Sequence, residues 1–508
     1  MTFWQKLPPE LRNMIVHMVV ETHCERTDPK SRAGYAIVSW EWNCIVEKRN
    51  FRRISLNHDR AQDFEKIFSD IKRRGYLQYL QVLFVLEEYD CDACKVPEDN
   101  ATRKSVLRTV SKWKEAGRGG LAIELGAYSP SDSKHFFRDF RLEKEYPYRS
   151  LNDLDEGHEG YESWMQSRPT IDDKFHGWKA NGQRQRLPPR GARKRLLGSA
   201  PLLHDFHGFD RRIKRRFPTV EAVTSLIITR QFYRNFDPRL IGSLVRNSFP
   251  RLRRFRHEWW YNIDIGPQRD VENHYTSSLL PAFPSTLREL CLYEDASYPL
   301  HKDVRTWPAL QSFALRLLNA TRNLEHLAIS RVITARQFFE TFVDTFDKNL
   351  DAMVKHPQGW PNLQTLALTT TELVPEKEAS EGLLVLAAIA ACFMPKLKCM
   401  ELWSTGKKNG AIFRYVACGN TRGGPLITLT TCTDTSGRQW GLSHRVLDKW
   451  QRAARKHGQL AVTSVRRTMA SGDVWDPDLE SHTFLRGRIL DKLSQYQRSW
   501  ESRHVSEC

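Results

Sequence analysis

The chain has 508 residues, of which 40% are hydrophobic and 27% charged, and it carries a formal net charge of +18. This composition predicts globular domains with a sizeable core and favours acidic partners. It argues against a bilayer span, because the longest apolar run, Leu383 to Met394, is too short. It also argues against a secretory leader and disulfides, because polar and charged residues are spread throughout residues 1–20 and the ten cysteines are scattered.

The first 50 residues predict a small helical bundle. Pro8 and Pro9 suit the first turn of a helix, where a missing N–H costs nothing. The apolar residues that follow recur at helical spacing: Leu11, Met14, Ile15, Met18 and Val19. After a polar stretch at 21–34, Ser39 can cap a further helix that contains Trp42. So small a bundle would gain stability by packing on a partner.

From residue 51 onward, the pattern apolar-x-x-apolar-x-apolar recurs with helix-like segments between its copies. The copies begin at Phe51, Leu77, Leu121, Val223, Leu252, Leu287, Leu324, Leu363 and Leu397. Alternation of strand and helix predicts a parallel sheet, and the repeated signature favours a leucine-rich-repeat-like arc. The spacing is long and irregular for such repeats, so an ordinary α/β domain of unrelated strand–helix units is the alternative.

Residues 141–216 are rich in charge, Gly and Pro and contain few aliphatic residues, so we expect a disordered basic insertion. The candidate nuclear-localisation residues in it are Arg193, Lys194, Arg195, Arg211, Arg212, Lys214, Arg215 and Arg216. A solvated loop is the plainer interpretation. Aromatic residues are sparse there, so we do not expect nucleic-acid binding.

Residues 411–508 predict a different unit that closes the repeat array. Strands are expected at 412–416, 426–431 and 460–465, and helices at 444–456 and 479–500. Such a unit would act as a cap on the open end of the array.

No catalytic constellation is evident in the sequence, so we expect neither an enzyme nor a cofactor. Cys91 and Cys94 have the spacing of half a zinc site or of a redox pair. No second such pair exists, and His58 and His135 stand isolated, so we predict no metal. A group of aromatic residues follows the strand cores and suggests either a partner surface or core packing. These residues are Trp259, Trp260, Tyr261 and Trp403.

The segment Leu7-Pro8-Pro9-Glu10-Leu11, followed by Val38-Ser39 and Trp42, resembles the F-box, which opens with Leu-Pro-x-Glu-Leu and closes with Val-Ser-x-x-Trp. The chain is also similar to a group of fungal F-box proteins, through Glu-Tyr-Asp-Cys at 88–91 and Ser-Pro-Ser-Asp-Ser at 129–133. The resemblance implies docking on the Skp-type adaptor of a cullin-RING ubiquitin ligase. The implied adaptor contacts, some of which would serve the bundle's own core, are Leu7, Pro8, Leu11, Ile15, Val38 and Trp42.

We therefore expect an α/β protein in which an N-terminal three-helix F-box-like bundle precedes an irregular leucine-rich-repeat-like strand–helix arc with a long basic inserted loop. The expected divisions are 1–50 for the bundle, 51–140 and 217–410 for the repeat-like units, 141–216 for the insertion and 411–508 for the cap.

The expected function is that of a substrate receptor in an SCF-type ubiquitin ligase, in the cytoplasm or nucleus. Its partners would be a Skp-type adaptor, a cullin and an unknown protein substrate, and neither nucleic acid nor a membrane is expected. A ligase-independent binding scaffold is the first alternative. A nucleic-acid-associated protein that uses the basic insertion is the second.

Overall fold

The structure is a computed structural model of the chain. It describes residues 3–22, 34–96, 120–138, 173–179, 184–198, 219–302, 308–347, 359–373, 377–404, 410–419, 422–432, 441–469 and 483–504. Over these residues the fold is mixed α/β, which confirms the predicted class. Among the helices described, none combines the length and apolarity needed to cross a bilayer.

The described strands form one 12-stranded sheet in which every strand pairs with its neighbours in sequence. The strands are β1 Arg53–Asn57, β2 Tyr79–Val85, β3 Leu121–Tyr128, β4 Val223–Ile228, β5 Arg254–Trp260, β6 Glu289–Asp295, β7 His326–Ser330, β8 Thr365–Thr370, β9 Cys399–Ser404, β10 Ala411–Val416, β11 Leu426–Cys432 and β12 Thr463–Met469.

Strands β1 to β9 are all parallel, as the strand–helix alternation predicted. Strand β10 is antiparallel to both β9 and β11, and β12 is again parallel to β11. The connection from β9 to β10 is too short for a crossover helix, so the chain turns back as a hairpin.

Helices precede the sheet, lie between many of its strands and follow its last strand. The described helices are Phe3–Lys6, Pro9–Thr22, Trp40–Asn50, Ala61–Ile67, Ile71–Tyr76, Arg190–Leu197, Pro238–Ser248, Ile265–His274, Tyr298–His301, Gln311–Ala320, Ala335–Asp347, Lys377–Ala391, His444–Lys456, Arg486–Ile489 and Lys492–His504. The repeated apolar positions explain the packing. In β6, Leu290 and Leu292 are fully buried in the main core with the helices, and Leu287, two residues before the strand, joins them.

The other face of the sheet is also covered. Successive strand residues alternate between faces, so Cys291 and Tyr293 point away from the main core. They pack with Leu485 and Ile489 of the C-terminal segment, residues 483–504. The predicted helix at 479–500 is therefore present in part, as two helices after Thr483, and it lies across the sheet.

The basic insertion is not disordered throughout, which corrects the prediction for part of residues 141–216. Residues 190–197 form a helix in which Ala192, Leu196 and Leu197 are buried. These side chains pack with Tyr233 and Trp260 in a second core. The helix was missed because its apolar residues are few, and their partners come from distant parts of the chain. Residues 211–216 lie outside the described residues.

Candidate functional site

The N-terminal helices pack around a small apolar core. Val16, Val20 and Val46 are buried between helices Pro9–Thr22 and Trp40–Asn50. Ser39 caps the second helix, because its Oγ accepts a hydrogen bond from the Trp42 backbone N–H at 3.4 Å. The expected cap is thus present in the structure.

The same helices carry large apolar side chains on their outer surface. Leu11, Met14 and Met18 are 43, 54 and 56% exposed, and their spacing places them on one side of the helix. Ile37 and Val38, in the turn before the next helix, are 87 and 60% exposed. An exposed apolar patch of this kind is typical of a surface that binds another protein.

The six residues implied as adaptor contacts differ in their exposure. Pro8, Leu11 and Val38 are exposed. Leu7 and Ile15 are half-buried. Trp42 stacks on Tyr35, with ring centroids 5.8 Å apart, and packs against the bundle core, so most of its contacts are internal.

The four aromatic residues proposed as a partner surface are buried, which corrects that interpretation in favour of core packing. Trp259, Trp260, Tyr261 and Trp403 are at most 5% exposed. The indole N–H groups of Trp259 and Trp260 donate to Glu294 and to the Arg230 backbone carbonyl, each at 2.9 Å. Trp259 packs in the main core, whereas Trp260 packs with the insertion helix and Trp403 with the C-terminal segment, and the local pattern did not show these partners.

The candidate localisation residues in the insertion helix also have internal partners. Arg193 donates to the Leu300 carbonyl at 2.8 Å, and Arg195 donates to the Val96 carbonyl at 2.7 Å. Lys194 pairs with Asp264. Arg193 and Arg195 are buried, so these three residues do not form an extended basic signal, and that prediction is corrected for them.

Two buried glutamates hold the C-terminal segment on the sheet. Glu401 of β9 accepts hydrogen bonds from the backbone N–H groups of Phe484 and Leu485 at 2.9 and 2.7 Å. Glu258 of β5 accepts from the Asp491 N–H at 2.7 Å and from the Ser494 hydroxyl at 2.5 Å. Burial raises the pKa of Glu258.

A cavity of about 490 Å³ opens at the start of strands β5 to β7. Its ionisable lining residues are Arg253, Arg254, Arg288, Arg488, Glu289, Glu325 and His326. Four guanidinium groups against two carboxylates give the cavity a positive balance. Such a cavity suits an acidic group on a partner.

Two cysteines and two histidines meet beyond the ends of β2 and β3. Cys91 Sγ lies 3.6 Å from His135 Nδ1, and His135 Nδ1 lies 3.2 Å from His176 Nε2. The ligand atoms of these three residues all lie within 4.8 Å of one another. Cys94 Sγ is 3.7 Å from His176 Nε2. The prediction that His135 stands isolated is therefore wrong.

The remaining ring nitrogens of the two histidines have well-placed partners. His176 Nδ1 lies 2.6 Å from Asp173 Oδ2, which also accepts a hydrogen bond from Arg138 at 2.7 Å. His135 Nε2 lies 3.3 Å from the Tyr89 carbonyl oxygen. Burial lowers the pKa of His135 and raises the pKa of Cys94.

The sequence pattern indicated the cysteine pair but not His176. This histidine is 82 residues from Cys94 and lies in the segment expected to be disordered. The Cys-x-x-Cys spacing was the available signal, and no local spacing could have added the two histidines to it.

Residues 282–485 match the model of a family described as a family of unknown function (DUF6546). The match runs from just before β6 to Leu485, so it covers less than half of the chain and includes neither the N-terminal bundle nor the cysteine–histidine cluster. No curated protein matches the chain.

Proposed function

We propose that this chain is a substrate-receptor subunit of an SCF-type cullin-RING ubiquitin ligase. The N-terminal bundle would dock the Skp-type adaptor and thereby the cullin, while the strand–helix domain would recruit a protein substrate in the cytoplasm or nucleus. The chain would be no enzyme itself. The ligase would act by proximity, because the receptor holds a substrate lysine near the ubiquitin carrier.

The observation that carries the proposal is the exposed apolar surface of the bundle. Leu11, Val38 and Ile37 lie in or next to the segments that resemble the F-box, and all three are exposed. Covering a large apolar side chain contributes roughly 1.5–3 kcal/mol, so a few such residues can support specific docking.

We also propose that strands β1 to β9 and their helices form a leucine-rich-repeat-like arc. The sequential strand order and the parallel pairing support it. So does the burial of the repeated apolar positions, such as Leu324, Leu327 and Ile329 of the β7 unit. The spacing between successive repeats is irregular, so the curvature of the sheet would vary along its length.

The cavity at the start of β5 to β7 is the surface that we propose for recruitment. Its four arginines would bind an acidic segment of the substrate. Arg254 and Arg288 have partly exposed side chains, 71 and 44%, and their ion pairs are long at 3.5 Å, so their charges remain accessible.

Co-precipitation of the full chain with the Skp-type adaptor and cullin tests the docking half. We expect the double variant Leu11→Asp with Val38→Asp to lose both partners and to keep its circular dichroism spectrum. The control is Leu460→Asp, at a residue 58% exposed in the loop before β12, which should bind as the wild type does. Equal binding by the double variant would refute adaptor docking through this face.

Comparative affinity capture with the proteasome inhibited tests the recruitment half. We expect the variant Arg254→Glu with Arg288→Glu to retain the adaptor and lose the substrate. The variant Leu11→Asp with Val38→Asp should retain the substrate and lose the adaptor. A substrate whose abundance does not change when the chain is removed would instead favour a scaffold that acts outside a ligase.

A further inference from the structure

We propose that Cys91, Cys94, His135 and His176 bind one structural zinc ion. This inference goes beyond the proposed receptor function and does not rest on it. It replaces the sequence-based prediction of no metal. The four residues come from three segments, 91–94, 130–138 and 173–179, that are brought together only by the fold.

Three distances between the ligand atoms match those expected around a tetrahedral zinc ion. Bond lengths of about 2.0–2.1 Å to nitrogen and about 2.3 Å to sulfur place two nitrogens roughly 3.4 Å apart and a nitrogen and a sulfur roughly 3.6 Å apart. In the structure His135 Nδ1 and His176 Nε2 are 3.2 Å apart. The sulfur–nitrogen distances are 3.6 Å for Cys91 and 3.7 Å for Cys94.

The partners of the two histidines fix which ring nitrogens are free to bind a metal. The Asp173 carboxylate can only accept, so His176 Nδ1 carries the proton and Nε2 carries the lone pair. The Tyr89 carbonyl can also only accept, so its contact with His135 Nε2 favours the tautomer with the proton on Nε2 and the lone pair on Nδ1. In that tautomer the two lone pairs face each other at 3.2 Å, an arrangement that a metal ion between them would stabilise.

Zinc fits this site better than a hard metal. Thiolate and imidazole ligands select zinc over magnesium and calcium. The Cys94 thiol donates to the Cys91 carbonyl at 3.0 Å, and it would give up this contact on losing its proton to the metal. Four protein ligands leave no open position, as in structural zinc sites.

Further contacts hold the proposed zinc ligands in place. The pair of Asp173 with His176 is the carboxylate–histidine arrangement that orients zinc ligands. Arg138 fixes that carboxylate at 2.7 Å. Trp178 donates from its indole to the His135 backbone carbonyl at 2.9 Å, which ties the segment of His176 to the segment of His135.

The ion would stabilise a part of the chain that has little apolar core of its own. Residues 173–179 belong to the insertion, and their short bridges join Asp173 to Trp178 and Trp178 to Arg184. A metal bond to His176 would hold this segment against the ends of β2 and β3. Binding free energy would thus become folding free energy for this segment.

The test uses the full chain purified under reducing conditions. We expect elemental analysis to find one zinc per chain, and cobalt loaded after chelation to give the visible bands of a tetrahedral site together with a thiolate charge-transfer band. Cys91→Ser with His176→Asn should lose the metal. Cys418→Ser, at an exposed cysteine elsewhere, should keep it. Asp173→Asn should weaken zinc affinity about 10–100-fold.

Cobalt loading of the wild-type chain requires no substitution, so the test holds even if a variant fails to fold. The proposal is overturned if the wild-type chain takes up neither zinc nor cobalt in stoichiometric amount, or if it contains iron instead. It is also overturned if the Cys91 and His176 double variant keeps its zinc, or if Cys91 and Cys94 form a disulfide in the purified protein.

Discussion

Glu401 accepts a hydrogen bond from the backbone N–H of Leu485 at 2.7 Å, and this contact joins β9 to the first turn of the C-terminal segment 84 residues later. The carboxylate also accepts from Arg414 Nε at 2.5 Å. It is fully buried, so its attachments to the segment and to β10 are made away from water. The segment is therefore held by directed polar contacts as well as by apolar packing.

Glu401→Ala should loosen the C-terminal segment. The buried Leu485 N–H would lose its acceptor and Arg414 would lose its ion pair, at a cost of about 2–4 kcal/mol. Hydrogen exchange of amides in residues 483–504 should accelerate while amides of β1 to β3 stay protected. Glu340→Ala, at a 49% exposed side chain, is the control and should change neither the stability nor the hydrogen exchange of residues 483–504. Unchanged exchange in Glu401→Ala would show that apolar packing alone holds the segment.

Arg230 lies at the other end of the same segment and is 1% exposed. Its Nε lies 2.6 Å from Asp295 Oδ2, it pairs with Glu501, and its guanidinium lies 4.3 Å from the Trp260 ring centroid. Arg230→Met should lower the free energy of unfolding by about 3–5 kcal/mol, because the mostly buried Glu501 loses its cation and Asp295 keeps only the longer contact to Arg331 at 3.4 Å.

The matched control is Arg251→Met, which breaks an ion pair to Glu221 whose side chains are 62 and 50% exposed. It should cost less than about 1 kcal/mol. Urea denaturation of the two variants measures the difference, and equal costs would contradict the structural role given to Arg230.

Glu294 gives a pH-dependent contribution to stability. Burial raises its pKa from 4.5 to about 7, and the carboxyl oxygen Oε1 accepts hydrogen bonds from both Trp259 and Gln268. The unfolded chain ionises first, so the folded state should lose stability as the pH rises from about 4.5 to about 7, by roughly 3 kcal/mol in all.

Glu294→Gln keeps an oxygen for both donors and removes the charge. It should therefore be more stable than the wild type at pH 8 and about equally stable at pH 4.5. Thermal denaturation at the two pH values provides the measurement. If the variant and the wild type are equally stable at pH 8 as well as at pH 4.5, the Glu294 pKa is not raised in the folded protein.

Gly242 marks a close approach between helix Pro238–Ser248 and the turn at Tyr275–Leu279. A Cβ at this position would lie 2.6 Å from the Ser278 carbonyl oxygen, so Gly242→Ala should force the two elements apart and destabilise the protein. Gly75→Ala is the control: it lies in helix Ile71–Tyr76 with open space around it and should stabilise by about 0.5–1 kcal/mol. Melting temperatures that move in the same direction would contradict this packing.

Most of the strands were predictable because they carry their apolar positions locally. Leu363, Leu366 and Leu368 show the β8 unit by spacing alone, and all three are fully buried. The hairpin of β9 and β10 was not predicted as antiparallel, because the pattern of a strand reports its burial and not the direction of its neighbour.

The candidate sites were less predictable, because their residues are far apart along the chain. His135 and His176 are 41 residues apart, and no local rule predicts that they meet. Trp260 was ambiguous because the residues that contact its ring, Arg230, Tyr233 and His301, come from separate segments of the chain. A single sequence shows which side chains need partners, but it does not show which distant segments supply them.

The strictly sequential strand order has a consequence for biosynthesis. Each new strand can pair with the one before it as soon as both have left the ribosome, so most of the sheet can assemble from neighbouring segments without waiting for later ones. Residues 483–504 are the exception, because Ile489 contacts Cys291 across 198 positions and Glu501 contacts Arg230 across 271. A nascent chain halted before them would display the polar and apolar groups of an uncovered sheet face, which is the kind of surface that chaperones bind.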